Sequence, residues 1–224
     1  LVDYKGGAAF APFENLPHQA GLIDNLADDP QLTARAKASL QGEVVRRQQL
    51  LKAADSSPSI SHYRELRRTR PELAPMPHLF VVIDEFGELL TAEPDFIDLF
   101  LQIGRIGRSI GVHLLLSSQR IEGGKLRGLD TYLSYRLGLR TFSEAESQVV
   151  LGSGDAFHLP PIPGYGYLKV DTSVYQRFHA GYVSGPIDEL TDARPVTEDE
   201  HPAVVEIPVY NGIESGGDPD APLV

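Results

Sequence analysis

Short apolar runs alternate along the chain with polar segments in which apolar residues recur every three or four positions. The runs are typical of β-strands, and they occur in LVDYKG (1–6), LFVVI (79–83), VHLLLSS (112–118) and SYRLGLRT (134–141). A hairpin is expected last, from GYGYLKV and YQRFHAGYV. Because helical patterns separate the earlier strands, the sequence favours an α/β fold with a mainly parallel sheet flanked by helices.

The longest predicted helix follows Asp28, Asp29 and Pro30, a combination that commonly starts helices. Its apolar residues fall on one stripe, which is expected to pack on the sheet: Leu32, Ala36, Leu40, Val44 and Leu51. Four shorter helices are predicted in ISHYRELRRTR, in DFIDLFLQIGRIGRSIG, around LDTYL and in SEAESQVVL.

The negative charge is concentrated near the C-terminus. The 224 residues carry a formal net charge of −11, and ten acidic residues against one arginine lie between Pro186 and Val224. This acidic segment is rich in proline and glycine, which predicts a linker or arm over 186–224, with one possible strand at 203–210. We therefore expect one domain over 1–185, whose charge neither favours nor excludes DNA binding. The chain has no cysteine, which excludes disulfides and thiolate metal sites.

Two adjacent carboxylates, Asp84 and Glu85, follow the LFVVI strand directly. At the carboxyl end of a buried parallel strand, one carboxylate can hold Mg²⁺ through water while the other polarises an attacking water. The alternative is that both residues only cap the helix that follows, which acidic residues do well.

Polar residues also end the next strand, and two arginines precede it. Ser117, Ser118 and Gln119 should lie beside the carboxylate pair, within reach of a terminal phosphate or of the attacking water; the alternative for Gln119 is a residue that caps a turn. Arg105 and Arg108 lie three positions apart on one side of a helix end. Either arginine can supply charge to a neighbouring subunit's nucleotide or simply face solvent.

Seven motifs, in order, resemble those of the FtsK/SpoIIIE family of motor ATPases: LVDYKGG, LPH, GEVVRRQ, PHLFVVIDEFGELL, IGRIGRSIGVHLLLSSQR, LRGLDTYLSYRLGLRTFSEAESQVVLG and PGYGYLK. The closer likeness is to the branch that powers type VII (ESX) secretion, the EccC proteins, and to the first of their tandem ATPase domains. The DNA-translocating branch typically has DPK where this chain has DYK, and ATQRP where it has SSQRI. The resemblance implies a RecA-like P-loop NTPase fold that binds ATP and Mg²⁺.

The resemblance also implies roles for individual residues. Asp84 is similar to the Walker B aspartate that holds Mg²⁺, and Glu85 is similar to the catalytic glutamate. Arg108 resembles the arginine finger that the family inserts into the adjacent subunit's site, and Gln119 corresponds to the sensor glutamine. Lys5 lies in another family motif, but the sequence assigns it no role.

The family's Walker A loop, GxxxxGK[ST], does not occur in this sequence. In the nearest candidate, EGGKL, Gln119 stands where the first glycine belongs and Leu126 where serine or threonine belongs. A phosphate cradle needs those backbone N–H groups and that lysine. We therefore expect this chain alone to bind and hydrolyse ATP poorly, and interpret it as a fragment whose fold is incomplete at its N-terminus. The alternative is that the parent protein also lacks the loop.

Three functions of different classes remain open from the sequence. The resemblance implies part of the motor of a type VII secretion system, a cytoplasmic domain within a complex anchored in the inner membrane. Its implied partners are further copies in a ring, other ESX membrane-complex components and the secreted proteins, whereas nucleic acid is not expected. The alternatives are a DNA translocase of the same superfamily and a nucleotide-independent structural module.

Overall fold

The computed structural model describes residues 1–6, 9–126 and 128–181 of the chain. The strands in these ranges form two three-stranded sheets. The parallel sheet has the order β1-β2-β3, and its strands are β1 (Val2–Asp3), β2 (Leu79–Asp84) and β3 (Val112–Leu116). The antiparallel sheet contains β4 (Tyr135–Leu139), β5 (Tyr165–Val170) and β6 (Val174–His179).

Helices provide the crossovers between the parallel strands, as such connections require. The helices are α1 (Pro30–Ala53), α2 (Ile60–Thr69), α3 (Phe86–Ala92), α4 (Phe96–Ile110) and α5 (Glu144–Leu151). The start of α1 agrees with the prediction, because the Asp29 side chain accepts hydrogen bonds from the N–H groups of Gln31 and Leu32, and Pro30 is the first helical residue. No helix in the described ranges is long and apolar enough to cross a membrane.

One face of the parallel sheet is buried against the helices, and the other is uncovered. Val81 and Ile83 of β2 belong to the main core cluster, together with apolar residues of α1, α3 and α4. Phe80 and Leu115 point to the opposite face and are 65% and 55% exposed. Parallel sheets are normally covered on both faces. The described part of the chain therefore covers only half of this sheet.

The antiparallel sheet shows the same asymmetry. Gly138 faces α5, where a Cβ atom would lie only 2.9 Å from Leu151 Cγ. The alternate residues Tyr135, Leu137 and Leu139 point away from α5 and are 59% to 75% exposed. A second apolar sheet face is thus open to solvent.

The predicted α/β fold is confirmed, with two local differences. SYRLGLRT forms β4, but its partner is the antiparallel strand β5, because the terminal hairpin folds back beside it. The helix predicted around LDTYL is a single 3₁₀ turn, Leu129–Thr131. The predicted linker and the possible strand at 203–210 lie outside the described residues.

Candidate functional site

Parallel pairing brings three polar residues to one edge of the sheet. Asp3 pairs with Asp84 across β1 and β2, and Ile83 pairs with Leu116 across β2 and β3. Ser117 follows β3 directly, and its N–H donates to the Ile83 carbonyl over 3.0 Å. The carboxyl ends of all three strands therefore meet here, as the sequence predicted.

Asp84 is held by its neighbours on one carboxylate oxygen only. Its Oδ1 accepts hydrogen bonds from Ser117 Oγ at 2.6 Å and from the Glu85 N–H at 3.0 Å. Within the described residues, Oδ2 accepts no hydrogen bond. A fixed carboxylate with one free oxygen is a hard ligand of the type that Mg²⁺ prefers, either directly or through water. No group of three or more candidate metal ligands occurs in the described ranges.

Glu85 has an unusual backbone conformation and a buried side chain. Its φ and ψ are 53° and 40°, in the left-handed region that non-glycine residues rarely adopt. The residue is only 7% exposed. Its carboxylate accepts hydrogen bonds from Ser118 Oγ at 3.3 Å and from the Gln119 N–H at 3.3 and 3.4 Å to the two oxygens. Strained conformations of this kind concentrate at functional sites, which makes Glu85 the strongest catalytic candidate.

Gly87 allows the segment after β3 to approach the start of α3. A Cβ atom at this position would lie 2.8 Å from the Arg120 carbonyl oxygen and 2.8 Å from Ser118 Oγ. Real Cβ atoms do not come this close to oxygen, so any side chain here would displace the 118–120 segment. The contact between Glu85 and this segment therefore depends on Gly87.

An ion pair joins the loop after β1 to the first turn of α3. Lys5 Nζ lies 2.5 Å from Glu88 Oε1, and both side chains are about half exposed. The hydrogen bond to Glu88 raises the pKa of Lys5, and the charge of Glu85 acts in the same direction. Asp3 is 4% exposed, and its Oδ1 accepts from the N–H groups of Lys5 and Gly6, which fixes this turn.

The predicted site residues thus fall into two groups, of which the first lies together at the sheet edge. Asp84, Glu85, Ser118 and Gln119 belong to it. Ser118 was predicted to lie beside the nucleotide, and the contacts that it makes are with Glu85 and the Arg120 carbonyl. Gln119 contributes its backbone N–H, and within the described residues its side-chain amide makes no hydrogen bond.

Arg108 forms the second group, at the opposite end of the sheet. It is exposed, lies in the last turn of α4, and makes no hydrogen bond or ion pair with the described residues. Gly111, which ends α4, accepts a hydrogen bond from the N–H of Leu79 at the start of β2. Asp84 lies five residues further along β2, about 17 Å away. Arg108 therefore does not contribute to the carboxylate edge of its own chain.

Sequence reasoning missed two contributors to this edge. Asp3 ends a buried strand in the same way as Asp84. The pattern that points to Asp84, a carboxylate at the end of an apolar run, therefore also occurs in LVDYKG. Gly87 follows the carboxylate pair within DEFG, but a glycine near a helix start gives no sign of what it approaches.

Comparison with known proteins defines the class of this fold and site. The profile of the FtsK/SpoIIIE family matches residues 1–122, which include β1, β2, β3 and the whole carboxylate edge. The chain belongs to the FtsK/SpoIIIE family of P-loop ATPases.

Its similar relatives are proteins of ESX secretion systems. EccC of Thermomonospora curvata is 55% identical over 205 residues, which cover 92% of this chain and 15% of that protein. EccC4 of the Mycobacterium tuberculosis ESX-4 system is 51% identical over 187 residues, 84% of this chain and 15% of that protein. The solved cytoplasmic domain of the T. curvata type VII secretion ATPase EccC superposes with a TM-score of 0.80 at 57% identity, over 84% of this chain and 22% of that one. The chain thus spans about 15% of the length of these curated relatives.

Proposed function

We propose that this chain is part of the ATP-hydrolysing motor of a type VII secretion system. The observation that carries the proposal is the arrangement of Asp84 and Glu85, which end a central parallel strand and are each bonded to the segment 117–119. The similar relatives are named as secretion proteins, which favours protein export over DNA translocation as the work performed.

In this proposal the two carboxylates have separate tasks. Mg²⁺, when bound with ATP, would neutralise developing charge on the phosphates. Asp84 would hold the metal, and Ser117 keeps one of the Asp84 carboxylate oxygens in place by a hydrogen bond. Glu85 polarises the attacking water as a general base. Gln119 lies at the same edge, where its free side-chain amide can contact the terminal phosphate and report its state.

Arg108 acts in the site of a neighbouring subunit. Its position at the far end of β2 is incompatible with a role at its own Asp84, whereas its exposure leaves it available to another copy. Head-to-tail contact between identical subunits closes into a ring when the rotation allows it. A guanidinium inserted from the neighbour then stabilises charge that develops on the transferred phosphoryl group.

The two uncovered sheet faces support the interpretation that this chain is part of a larger domain. In this proposal the complete domain covers five apolar side chains that are exposed here: Phe80, Leu115, Tyr135, Leu137 and Leu139. Because GxxxxGK[ST] does not occur in this sequence, we expect this chain alone to hydrolyse ATP poorly. The proposed partners are other copies in a ring, further ESX membrane-complex components and secreted proteins, with this domain on the cytoplasmic side of the inner membrane.

The test is ATP turnover by the complete parent protein and by mixtures of two inactive variants. Arg108→Ala and Glu85→Gln should each abolish turnover when assayed alone. Mixed in equal amounts, the two variants should regain activity at about a quarter of the subunit interfaces. At those interfaces a subunit with an intact Glu85 lies next to one with an intact Arg108. Arg105→Ala is the matched control and should remain active, since within the part of the chain that the structure describes Arg105 bonds only to the Leu101 carbonyl of its own helix. A mixture without recovery would refute a role for Arg108 in the neighbouring subunit.

A further inference from the structure

The carboxylate of Glu85 is buried and hydrogen-bonded to the segment after β3. A general base must come within hydrogen-bond distance of the water that it activates. Glu85 is 7% exposed, and both of its oxygens are occupied by the Ser118 hydroxyl and the Gln119 N–H. In this arrangement the carboxylate faces the segment after β3, and water has little access to it.

We propose that Ser118 and Gly87 are positioning residues that hold Glu85 withdrawn until the 118–120 segment releases it. This inference rests on the proposed function, because withdrawal has a consequence only if Glu85 is the base. Ser118 and Gly87 touch neither the nucleotide nor the attacking water in this scheme. They act by setting where the Glu85 carboxylate lies.

We call the hydrogen bonds from Ser118 and Gln119 to the Glu85 carboxylate the latch. The Ser118 hydroxyl suits this role because its single proton lies within reach of two acceptor oxygens. It lies 3.3 Å from Glu85 Oε2 and 2.8 Å from the Arg120 carbonyl oxygen. When Glu85 leaves, the hydroxyl keeps its bond to the Arg120 carbonyl, and the Gln119 N–H is the one donor among these contacts that loses its acceptor. Release therefore breaks only long hydrogen bonds, so loss of one of them can shift the balance between the withdrawn and the released position of Glu85.

Gly87 makes the latch possible, and Ser117 connects it to the metal edge. Without a glycine at 87, the Arg120 carbonyl and Ser118 Oγ could not approach the first turn of α3. Ser117, the residue before Ser118, donates to Asp84 Oδ1. The consecutive residues 117–119 thus donate hydrogen bonds to Asp84 and to Glu85. A change in what Asp84 binds can therefore move Ser117, and through it the two residues that hold Glu85.

The latch is tested by a matched pair of variants in the complete parent protein. Ser118→Thr keeps the hydroxyl, whereas Ser118→Val has nearly the same shape without it. We expect Ser118→Val to raise the basal kcat for ATP about three- to tenfold, the contribution of one long hydrogen bond to a charged group, with KM changed less than about twofold. Ser118→Thr should behave like wild type, and Gly87→Ala should change kcat in the same direction as Ser118→Val. Equal effects of Val and Thr, or a lower kcat in Ser118→Val, would overturn the inference.

Hydrogen exchange separates failure of the latch from failure of the proposed function. If the wild-type parent hydrolyses no ATP, the proposed function falls, and the latch is then judged by exchange of the Gln119 amide. A protected Gln119 amide that exchanges about tenfold faster in Glu85→Ala would support the latch, because that variant removes its acceptor. An amide that exchanges at the same rate in both proteins would exclude it.

Discussion

The most informative structural perturbation concerns Arg47, a buried arginine within the apolar stripe of α1. Its side chain is 3% exposed and donates from Nε to Glu43 Oε1 at 2.7 Å. Its Nη1 donates to the carbonyl oxygens of Ile110 and Gly111 at 3.0 and 3.2 Å, at the end of α4. Arg47 therefore fixes the helix end that carries Arg108.

The contacts predict that replacing Glu43, the ion-pair partner of Arg47, lowers the stability of the fold more than replacing Arg47 itself. In Arg47→Met, Glu43 keeps both of its bonds to Arg46, and Gly111 keeps the N–H of Leu79. Among the described residues, only the Ile110 carbonyl loses its hydrogen-bond partner, so we expect a loss of stability of about 1.5 kcal/mol.

Glu43→Ala instead leaves the buried guanidinium without a carboxylate. Carbonyl oxygens still accept hydrogen bonds from the guanidinium. We therefore expect a loss of stability of about 3 kcal/mol, the lower end of the range for breaking a buried ion pair. The double variant contains no unpaired charge. It should lose about as much stability as Arg47→Met alone, and so be more stable than Glu43→Ala.

Urea unfolding of the parent protein provides the assay. Pulsed hydrogen exchange of peptides from α4 and β3 reports on this domain separately from the rest of the protein. A difference of about 1.5 kcal/mol between the single variants corresponds to a shift of about 0.5–1.5 M urea in the midpoint. The reasoning is refuted if Arg47→Met unfolds at a lower urea concentration than Glu43→Ala, or if the two losses simply add in the double variant.

Three further predictions concern positions around the parallel sheet. Burial lowers the pKa of His113, so as the pH falls below about 6.5 the unfolded chain binds a proton at this histidine before the folded chain does, and stability is lost. His113→Gln should therefore reduce the loss of stability between about pH 7 and pH 5, which urea midpoints at the two pH values measure. Gly107→Ala should destabilise the α4–β3 corner by about 1–3 kcal/mol, because its Cβ would lie 2.4 Å from the Val112 carbonyl oxygen; a thermal midpoint equal to wild type would contradict this. Phe80→Ala should destabilise the parent by about 3 kcal/mol, because the open sheet face is covered in the complete domain; a loss below about 0.5 kcal/mol would contradict that coverage.

Regular periodicity explains why most of the fold could be predicted. The apolar runs of β2 and β3 and the stripe of α1 are local signals. Asp29 and Pro30 mark a helix start by chemistry that acts within one turn. Strand pairing is not local. Nothing in SYRLGLRT itself shows that its partner runs antiparallel, because the same alternation suits either direction.

The candidate site divides in the same way. Asp84 and Glu85 could be found because they end a strand, and the ends of parallel strands meet at one edge. The withdrawn position of Glu85 could not be predicted from the sequence. It depends on the left-handed backbone conformation of Glu85 and on the close approach of the 118–120 segment to Gly87. The burial of Arg47 was missed for a related reason. A charged residue in an apolar stripe is normally expected to face solvent, and its partner carbonyls lie more than sixty residues away in the sequence.

The central claim, that Glu85 is the catalytic base of an ATPase, is tested most directly by comparing two neighbouring carboxylates in the complete parent protein. Glu85→Gln should bind Mg-ATP as wild type does, while its turnover falls at least about 100-fold, the usual contribution of a general base. Glu88→Gln, one helical turn further on, is the matched control and should stay within about threefold of wild type, because Glu88 is engaged with Lys5 at the surface. If Glu85→Gln hydrolyses ATP at the wild-type rate, the carboxylate pair is structural and the motor assignment of this domain is wrong.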